Sequence, residues 1–382
     1  MNNSPWPQIP LGQVIEQRKE FITIDDFKTY KRCRVQLHGR GIVLRDEIDG
    51  YRLRTKKQQV CNAGEFLVAE IDAKVGGFGL VPLELDGAIV SSHYFLFTID
   101  ESSLDRRFLD SYIRTRHFQD QVEAQGSTNY ASIRPQQVSG YGIPLPPLDE
   151  QHRIVARIEV LAAKVDAARR LREEARAGQQ ALLRSVFQKI VACADHRPMA
   201  EVASIVRRWV EVDPVKEYLE LGIRSFGRGT FHKPAITGLE LGSKRILRIE
   251  PDDLVLMNVF AWEGAIAVAR PEDRGRVGSH RYITCVPEPG VVTAPFLCFY
   301  LLTPEGLPRI RHASPGGAGR NRTLGLRKLE QIEIPVPDYS SQIRFGELQS
   351  RIRSMEMLQE QGDDMLAQLI PSILNKAFQG EL

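Results

Sequence analysis

The stretch IPLPPLDEQ, Ile143 to Gln151, is echoed 191 residues later by IPVPDYSSQ, Ile334 to Gln342. The same offset carries Leu182, Leu183, Phe187 and Gln188 onto Ile373, Leu374, Phe378 and Gln379, and it sets Leu11, Val14 and Ile15 on Val202, Ile205 and Val206. Between these ends the offset becomes 188. Tyr30 and Gly39-Arg40-Gly41 fall on Tyr218 and Gly227-Arg228-Gly229, while Gly50, Lys56, Gly76, Ser91 and Tyr94 fall on Gly238, Lys244, Gly264, Ser279 and Tyr282. One such pair arises by chance, but a near-constant offset sustained over half the chain indicates a duplication. The sequence therefore divides into globular, helical, globular and helical parts: 1–148, 149–191, 192–338 and 339–382.

The helical parts carry the clearer periodicity. Ile154, Ile158, Leu161, Val165 and Ala168 are spaced 4, 3, 4, 3, a heptad seam, and Phe345, Leu348, Ile352 and Met355 repeat it. Pro146-Pro147 and Asp149 mark the start of the first arm. A unit that packs on its own duplicate does so most simply about a pseudo-two-fold axis, which makes the arms antiparallel and lets the two seams face each other. Charge favours that pairing: Gln151 to Ala177 holds seven basic and four acidic residues, Gln342 to Ile370 three and five. An arm of this length spans roughly 40 Å at 1.5 Å per residue, enough for a spacer. Gly178 and Pro371 are expected to interrupt the arms at matching places, each followed by a short terminal helix. SILNKAFQGEL, the second of these, has an apolar face that fits either the body of the protein or a partner.

The globular parts read as mixed α and β, with short strands at Ala88-Ile89-Val90, Tyr94-Phe95-Leu96-Phe97 and Ile266-Ala267-Val268. The expected fold class is α+β: two tandem mixed α/β domains separated by two long helices packed as an antiparallel coiled coil.

Positive charge clusters locally although the net charge is only +3. Lys28, Lys31, Arg32, Arg34 and Arg40 lie in a stretch without acids, and Arg52, Arg54, Lys56 and Lys57 follow. The second half offers Arg224, Arg228, Lys233, Lys244 and Arg245, then the loop SPGGAGRNRTLGLRK with Arg320, Asn321, Arg322, Arg327 and Lys328. The counterpart of that loop, GSTNYASIRPQQ, contributes Asn129, Tyr130 and Arg134. Glycine permits close backbone approach, and Arg, Asn and Ser reach phosphates and base edges, so the residues of these basic stretches are the candidate DNA contacts. His93 and His280 lack the spacing of metal ligands.

Composition sets the remaining bounds. With 382 residues, 42% of them hydrophobic and 26% charged, the chain is of ordinary globular kind with two or three domains' worth of length. No apolar run reaches membrane-spanning length and the start MNNSPWPQIPL is not a secretory signal, so a cytoplasmic location is expected. Five scattered cysteines, Cys33, Cys61, Cys193, Cys285 and Cys298, imply reduced thiols. Phosphate-loop, zincin and nucleophile-elbow motifs are absent, and Pro251-Asp252-Asp253 lacks the Glu-x-Lys of a nuclease and reads as a turn. The expectation is a chain without catalysis, metal or cofactor of its own.

With these features together, the whole chain resembles the specificity (S) subunit of a type I restriction-modification system. The resemblance rests on IPLPPLDEQHRIVARIEVL entering the first arm, on IPSILNKAFQGEL at the end, and on the tandem order of variable and helical parts. It implies that 1–148 and 192–338 are target recognition domains, each reading one half of a split site on double-stranded DNA. It implies that 149–191 and 339–382 hold them apart and bind modification (methyltransferase) subunits, two of them, which carry S-adenosylmethionine and the chemistry. A restriction subunit would add ATP-driven translocation and cleavage. The sequence departs from the stronger family pattern at DYSSQIRF, which replaces the acidic-Gln-Arg-Ile entry of the second arm. The competing reading from the residues alone is a coiled-coil scaffold with protein-binding ends; a third is a nuclease or methyltransferase with unfamiliar motifs.

Overall fold

A computed structural model describes residues 5–123, 132–316 and 322–382. The chain forms two compact units, one of Met1–Glu173 with Gln359–Leu382 and one of Glu174–Leu358.

In the first unit a four-stranded antiparallel sheet runs Ile15–Arg18, Tyr94–Ile99, Phe66–Ala69, Phe78–Leu80. A five-stranded sheet runs Phe21–Thr23, Lys57–Val60, Ile89–Val90, Thr29–Val35, Ile42–Asp49, with one parallel ladder where Arg32 pairs with Ile89. The run FLVA at Phe66–Ala69 is buried at every position because the four-stranded sheet is covered on both faces. Side chains alternate across a strand, so Phe66 and Val68 enter the core shared with the helices while Leu67 and Ala69 enter the core shared with the five-stranded sheet. Phe97 and Leu96 divide in the same way.

The second unit repeats this order strand for strand. Ala203–Val206, Tyr282–Pro287, Leu254–Met257, Ile266–Val268 form its four-stranded sheet, and Trp209–Val210, Ile246–Arg248, Val277–Ser279, Glu217–Ile223, Thr230–Thr237 the five-stranded one. Here Glu220 pairs with Val277 in parallel, at the ladder position that Arg32 and Ile89 hold in the first unit. The N-terminal register differs from the expected 191. Asp100 donates its N–H to the Val14 carbonyl and Glu288 to the Val202 carbonyl, so Val14 corresponds to Val202 and Leu11 to the equally buried Met199, an offset of 188. The three additional residues enter later, between the helices Arg106–Ile113 and Pro135–Gly140 and their copies Ala294–Leu302 and Leu326–Glu330.

The central helix spans Leu148–Val191 and the C-terminal helix Tyr339–Phe378, both without interruption. Gly178 and Pro371 therefore do not end helices. A glycine costs about 1 kcal/mol relative to alanine, and a proline one backbone bond, and the packing of the flanking turns outweighs both. Leu183 and Phe187 beyond Gly178, and Leu374 and Phe378 beyond Pro371, are buried. The terminal segment thus packs on the body of its own chain.

Each unit contains an antiparallel helix pair made of half of each long helix. In the first, Arg172 bonds Asp363 at 3.1 Å and Arg169 donates to the Leu366 carbonyl at 3.3 Å. In the second, Gln180 donates to Glu356 at 2.7 Å. The seams Ile154–Ala168 and Phe345–Met355 consequently do not face each other: the first lies against the end of the C-terminal helix, the second against the end of the central helix. Ile154, Ile158 and Val165 are buried in the one, Phe345 and Ile352 in the other, whereas Met355 is 52% exposed and outside the seam.

One polar cluster of the second unit has no copy in the first. Asp273 is fully buried and accepts from the Arg270 backbone N–H at 2.9 Å, Thr230 Oγ1 at 2.9 Å and His232 Nε2 at 2.8 Å. Burial alone pushes its carboxyl up, but these hydrogen bonds and the Arg270 guanidinium outweigh burial and hold it below the ordinary value. A depressed folded pKa stabilises above the unfolded value of about 3.9 and loses that contribution as pH falls through the folded one. The urea midpoint of this unit is expected to drop below about pH 4, and Asp273→Asn to drop less over the same window. Parallel titration of both proteins would refute the assignment.

Candidate nucleic-acid interface

The duplicated Gly-Arg-Gly is a hairpin tip. In the first unit it joins Thr29–Val35 to Ile42–Asp49, with His38, Gly39 and Gly41 at φ of 62°, 66° and 86°. His38 and Gly39 donate to the Val75 and Gly76 carbonyls at 2.7 and 3.0 Å. A Cβ on Gly76 would stand 2.6 Å from the Gly39 nitrogen, so glycine is required there. In the second unit Phe226 and Gly227 make the same two bonds, to Glu263 and Gly264, at 2.9 and 2.8 Å. Both tips expose their arginine, Arg40 and Arg228.

Beside the first hairpin lies a cleft of about 360 Å³ lined by Arg32, Arg45, Arg52, Arg54, Thr55, Gln58, Ser91 and Tyr94, with Cys33, Ile89 and Val90 among its apolar lining. Arg32 is held in place by a bidentate pair to Asp46 at 2.7 and 2.6 Å, a contact that also keeps the Asp46 carboxyl below the usual range. Arg52 lies over the exposed Tyr51 ring at 5.4 Å and donates to its hydroxyl at 2.9 Å. Arg54 is exposed and makes no hydrogen bond or ion pair among the described residues. The Cys33 thiol is 3.6 Å from that of Cys61; accepting from Cys61 lowers the one and raises the other.

The remaining candidates separate by whether a partner already holds them. Lys56 bonds Asp26 and the Gly50 carbonyl, which ties its loop to the neighbouring turn. Lys31 donates to the Glu84 carbonyl at 3.4 Å, and Arg134 sits 3.7 Å from Glu70. Arg34 and Arg40 are exposed and unpaired among the described residues. Asn129, Tyr130, Arg320 and Asn321 lie outside the described residues.

In the second unit the arginines stand on aromatic faces. Arg224 lies 4.8 Å over Phe231, Arg228 5.9 Å over Phe226, Arg245 4.1 Å over Trp209 and Arg322 5.1 Å over Trp262. Lys244, Arg327 and Lys328 are exposed. One of these pairs is duplicated: Lys57 stands 4.9 Å over Phe21, and both members match Arg245 and Trp209 at the offset of 188. Such stacking fixes a cation's position without neutralising it, leaving its charge for an anion. The charge survey missed Phe21, Tyr51, Trp209, Phe226 and Trp262, and it missed Arg45 because Asp46 and Glu47 follow it. The offset itself pairs Phe21 with Trp209, a signal present in the sequence. Among the described residues no group of three or more His, Cys, Asp or Glu side chains could hold a metal ion.

Residues 3–176 match the family model "Type I restriction modification DNA specificity domain". This part of the chain is similar to that family. The specificity domain so matched comprises the two sheets and cleft of the first unit and the first turns of the central helix. The second unit reproduces the specificity domain's strand order in full. Two solved structures share the fold over the whole length. The HsdS subunit from Thermoanaerobacter tengcongensis has TM-score 0.62 at 21% identity, covering all of both chains. A chain from a study of complex assembly and conformational transition of the type I R-M system has TM-score 0.72 at 22% identity, covering 99% of this chain and 98% of that one. Comparison with curated proteins gives no match. No described helix is long and apolar enough to cross a membrane.

Proposed function

We propose that the chain is the DNA-specificity subunit of a type I restriction-modification complex and has no catalytic role itself. In this reading residues 1–148 and 192–338 each recognise one half of an asymmetric, split DNA site, and 149–191 with 339–382 set the gap and dock methyltransferase subunits. The observation that carries it is the duplication. A DNA specificity domain occupies the first half, and a second copy of its topology, with unlike surface residues, follows on the same chain. Two unlike readers on one chain require a site whose halves differ. Phosphate contacts would give salt-dependent affinity and base contacts the sequence. S-adenosylmethionine belongs to the partner subunits, and a restriction subunit would complete the complex.

Methylation mapping by long-read sequencing tests the reading, comparing a host that carries this chain with its neighbouring methyltransferase gene against one lacking only this chain. A split, asymmetric methylated motif is expected in the first host alone. An unchanged methylome, with the methyltransferase active and the complex assembled, would leave the protein-binding scaffold as the better account.

A further inference from the structure

We infer that the cleft beside the first hairpin captures a backbone phosphodiester of DNA through Arg54 and Arg52, and that the second unit has no equivalent capture site, so the two units hold DNA by unlike chemistry. The inference rests on the DNA reading above and adds which groups meet the phosphate and on which unit.

The comparison between equivalent positions carries it. Arg32 and Glu220 occupy the same ladder position of their five-stranded sheets. At the offset of 188 Arg52 becomes Glu240, Arg54 becomes Gly242 and Arg45 becomes Lys233. Four guanidiniums stand around the first cleft against the carboxylates of Asp46 and Asp49, with Arg45 3.8 Å from Asp46 and Arg52 3.8 Å from Asp49. The corresponding positions of the second unit hold one cation, Lys233, and two carboxylates, Glu220 and Glu240. At these four positions the first unit is therefore net positive and suited to a phosphate, and the second, with one cation against two carboxylates, is not.

Within the cleft the arginines are graded by what they already bind. Arg32 is clasped by Asp46 and acts as a positioned wall. Arg52 is steadied against Tyr51 yet exposed. Arg54 has no partner among the described residues, so an incoming phosphate oxygen would be its first, with a fork that fits two oxygens. The second unit instead offers guanidiniums stacked on Trp262, Trp209 and Phe226, cations held at fixed places by aromatic faces.

The full chain is titrated with mixed-sequence duplexes over a range of salt, as wild type, Arg54→Ala and Arg54→Lys. The expected result is that Arg54→Ala weakens binding about tenfold and lowers the slope of log affinity on log salt by about 0.9, equally for duplexes of different sequence. Arg54→Lys should keep the slope. Arg54 is exposed, so neither variant threatens folding. Wild-type affinity and slope in Arg54→Ala would overturn the capture site while leaving the DNA reading intact. A loss confined to some sequences would make Arg54 a base reader instead. Displacement of duplex by inorganic phosphate at matched ionic strength, from wild type and not from Arg54→Ala, would make the cleft a site for small anions. A wild-type chain that binds no duplex would remove the DNA reading and the inference with it.

Discussion

Phe187→Ala is expected to destabilise the Glu174–Leu358 unit by about 3–5 kcal/mol, and Phe378→Ala the other unit by a similar amount. The Phe187 ring, 5% exposed, lies 5.3 Å from Phe296, 5.0 Å from Phe299 and 5.6 Å from Phe345, so its removal leaves a cavity between the helix Ala294–Leu302 and the C-terminal helix that these rings cannot close. Phe378 sits 5.0 Å from both Phe108 and Tyr112. The magnitude is a large part of the total stability of an ordinary domain, about 5–15 kcal/mol. Each ring is delivered by a long helix that begins beside one globular half and ends in the core of the other unit. The expected pattern is therefore crossed. Hydrogen exchange should show Phe187→Ala opening peptides of the second unit and Phe378→Ala peptides of the first. Loss of protection in the same unit for both variants, or a change under about 1 kcal/mol, would disprove the crossed arrangement.

That crossing was only half legible in the sequence. The offset announced that Phe187 and Phe378 correspond, and heptad spacing announced two packed helices. Which segments meet depends on where each helix ends, and Gly178 and Pro371 read locally as stops. Local propensity lost to tertiary packing: the turns beyond each carry buried Leu183, Phe187, Leu374 and Phe378. Strand placement was legible at Tyr94–Phe97 and Ile266–Val268, where β-branched and aromatic residues alternate or run together. The pairing of strands distant in sequence, such as Thr29–Val35 with Ile89–Val90, left no local mark.

Of the basic candidates, charge counting found Arg52 and Arg54, which line the cleft, but it could not separate them from Lys56, which Asp26 holds. A partner 30 residues away decides that difference. The aromatic supports of the second unit were invisible to a survey of charge alone.

Gln151→Ala should cost the first unit about 3 kcal/mol, and Gln342→Ala the second about as much, because each amide closes the joint between a globular core and a helix start. Gln151 is fully buried. Its Oε1 accepts from the Asp105 N–H at 2.8 Å, and its Nε2 donates to the Ser103 and Pro146 carbonyls, both at 2.9 Å. Gln342 repeats every bond, accepting from the Thr293 N–H and donating to the Val291 and Pro337 carbonyls, each at 2.9 Å. The glutamine is thus retained within DYSSQIRF, and with it the geometry of the second helix entry. Alanine leaves one carbonyl buried without a partner and one N–H and one carbonyl part-buried without theirs, at about 1–3 kcal/mol for the buried group and less for the others. Glutamate in place of Gln151 separates this account from simple loss of volume. It keeps the size and the acceptor but turns a carboxylate toward two carbonyls, which raises its pKa in the folded state above the unfolded value of about 4.3. The raised value makes the penalty full above the folded pKa and lets it fade as pH drops, because the protonated acid again donates to one carbonyl. Gln151→Glu should therefore gain stability relative to Gln151→Ala as pH is lowered from 7 toward 5 in urea titrations. A constant difference between the two variants across that range would mean that the amide serves only to fill space.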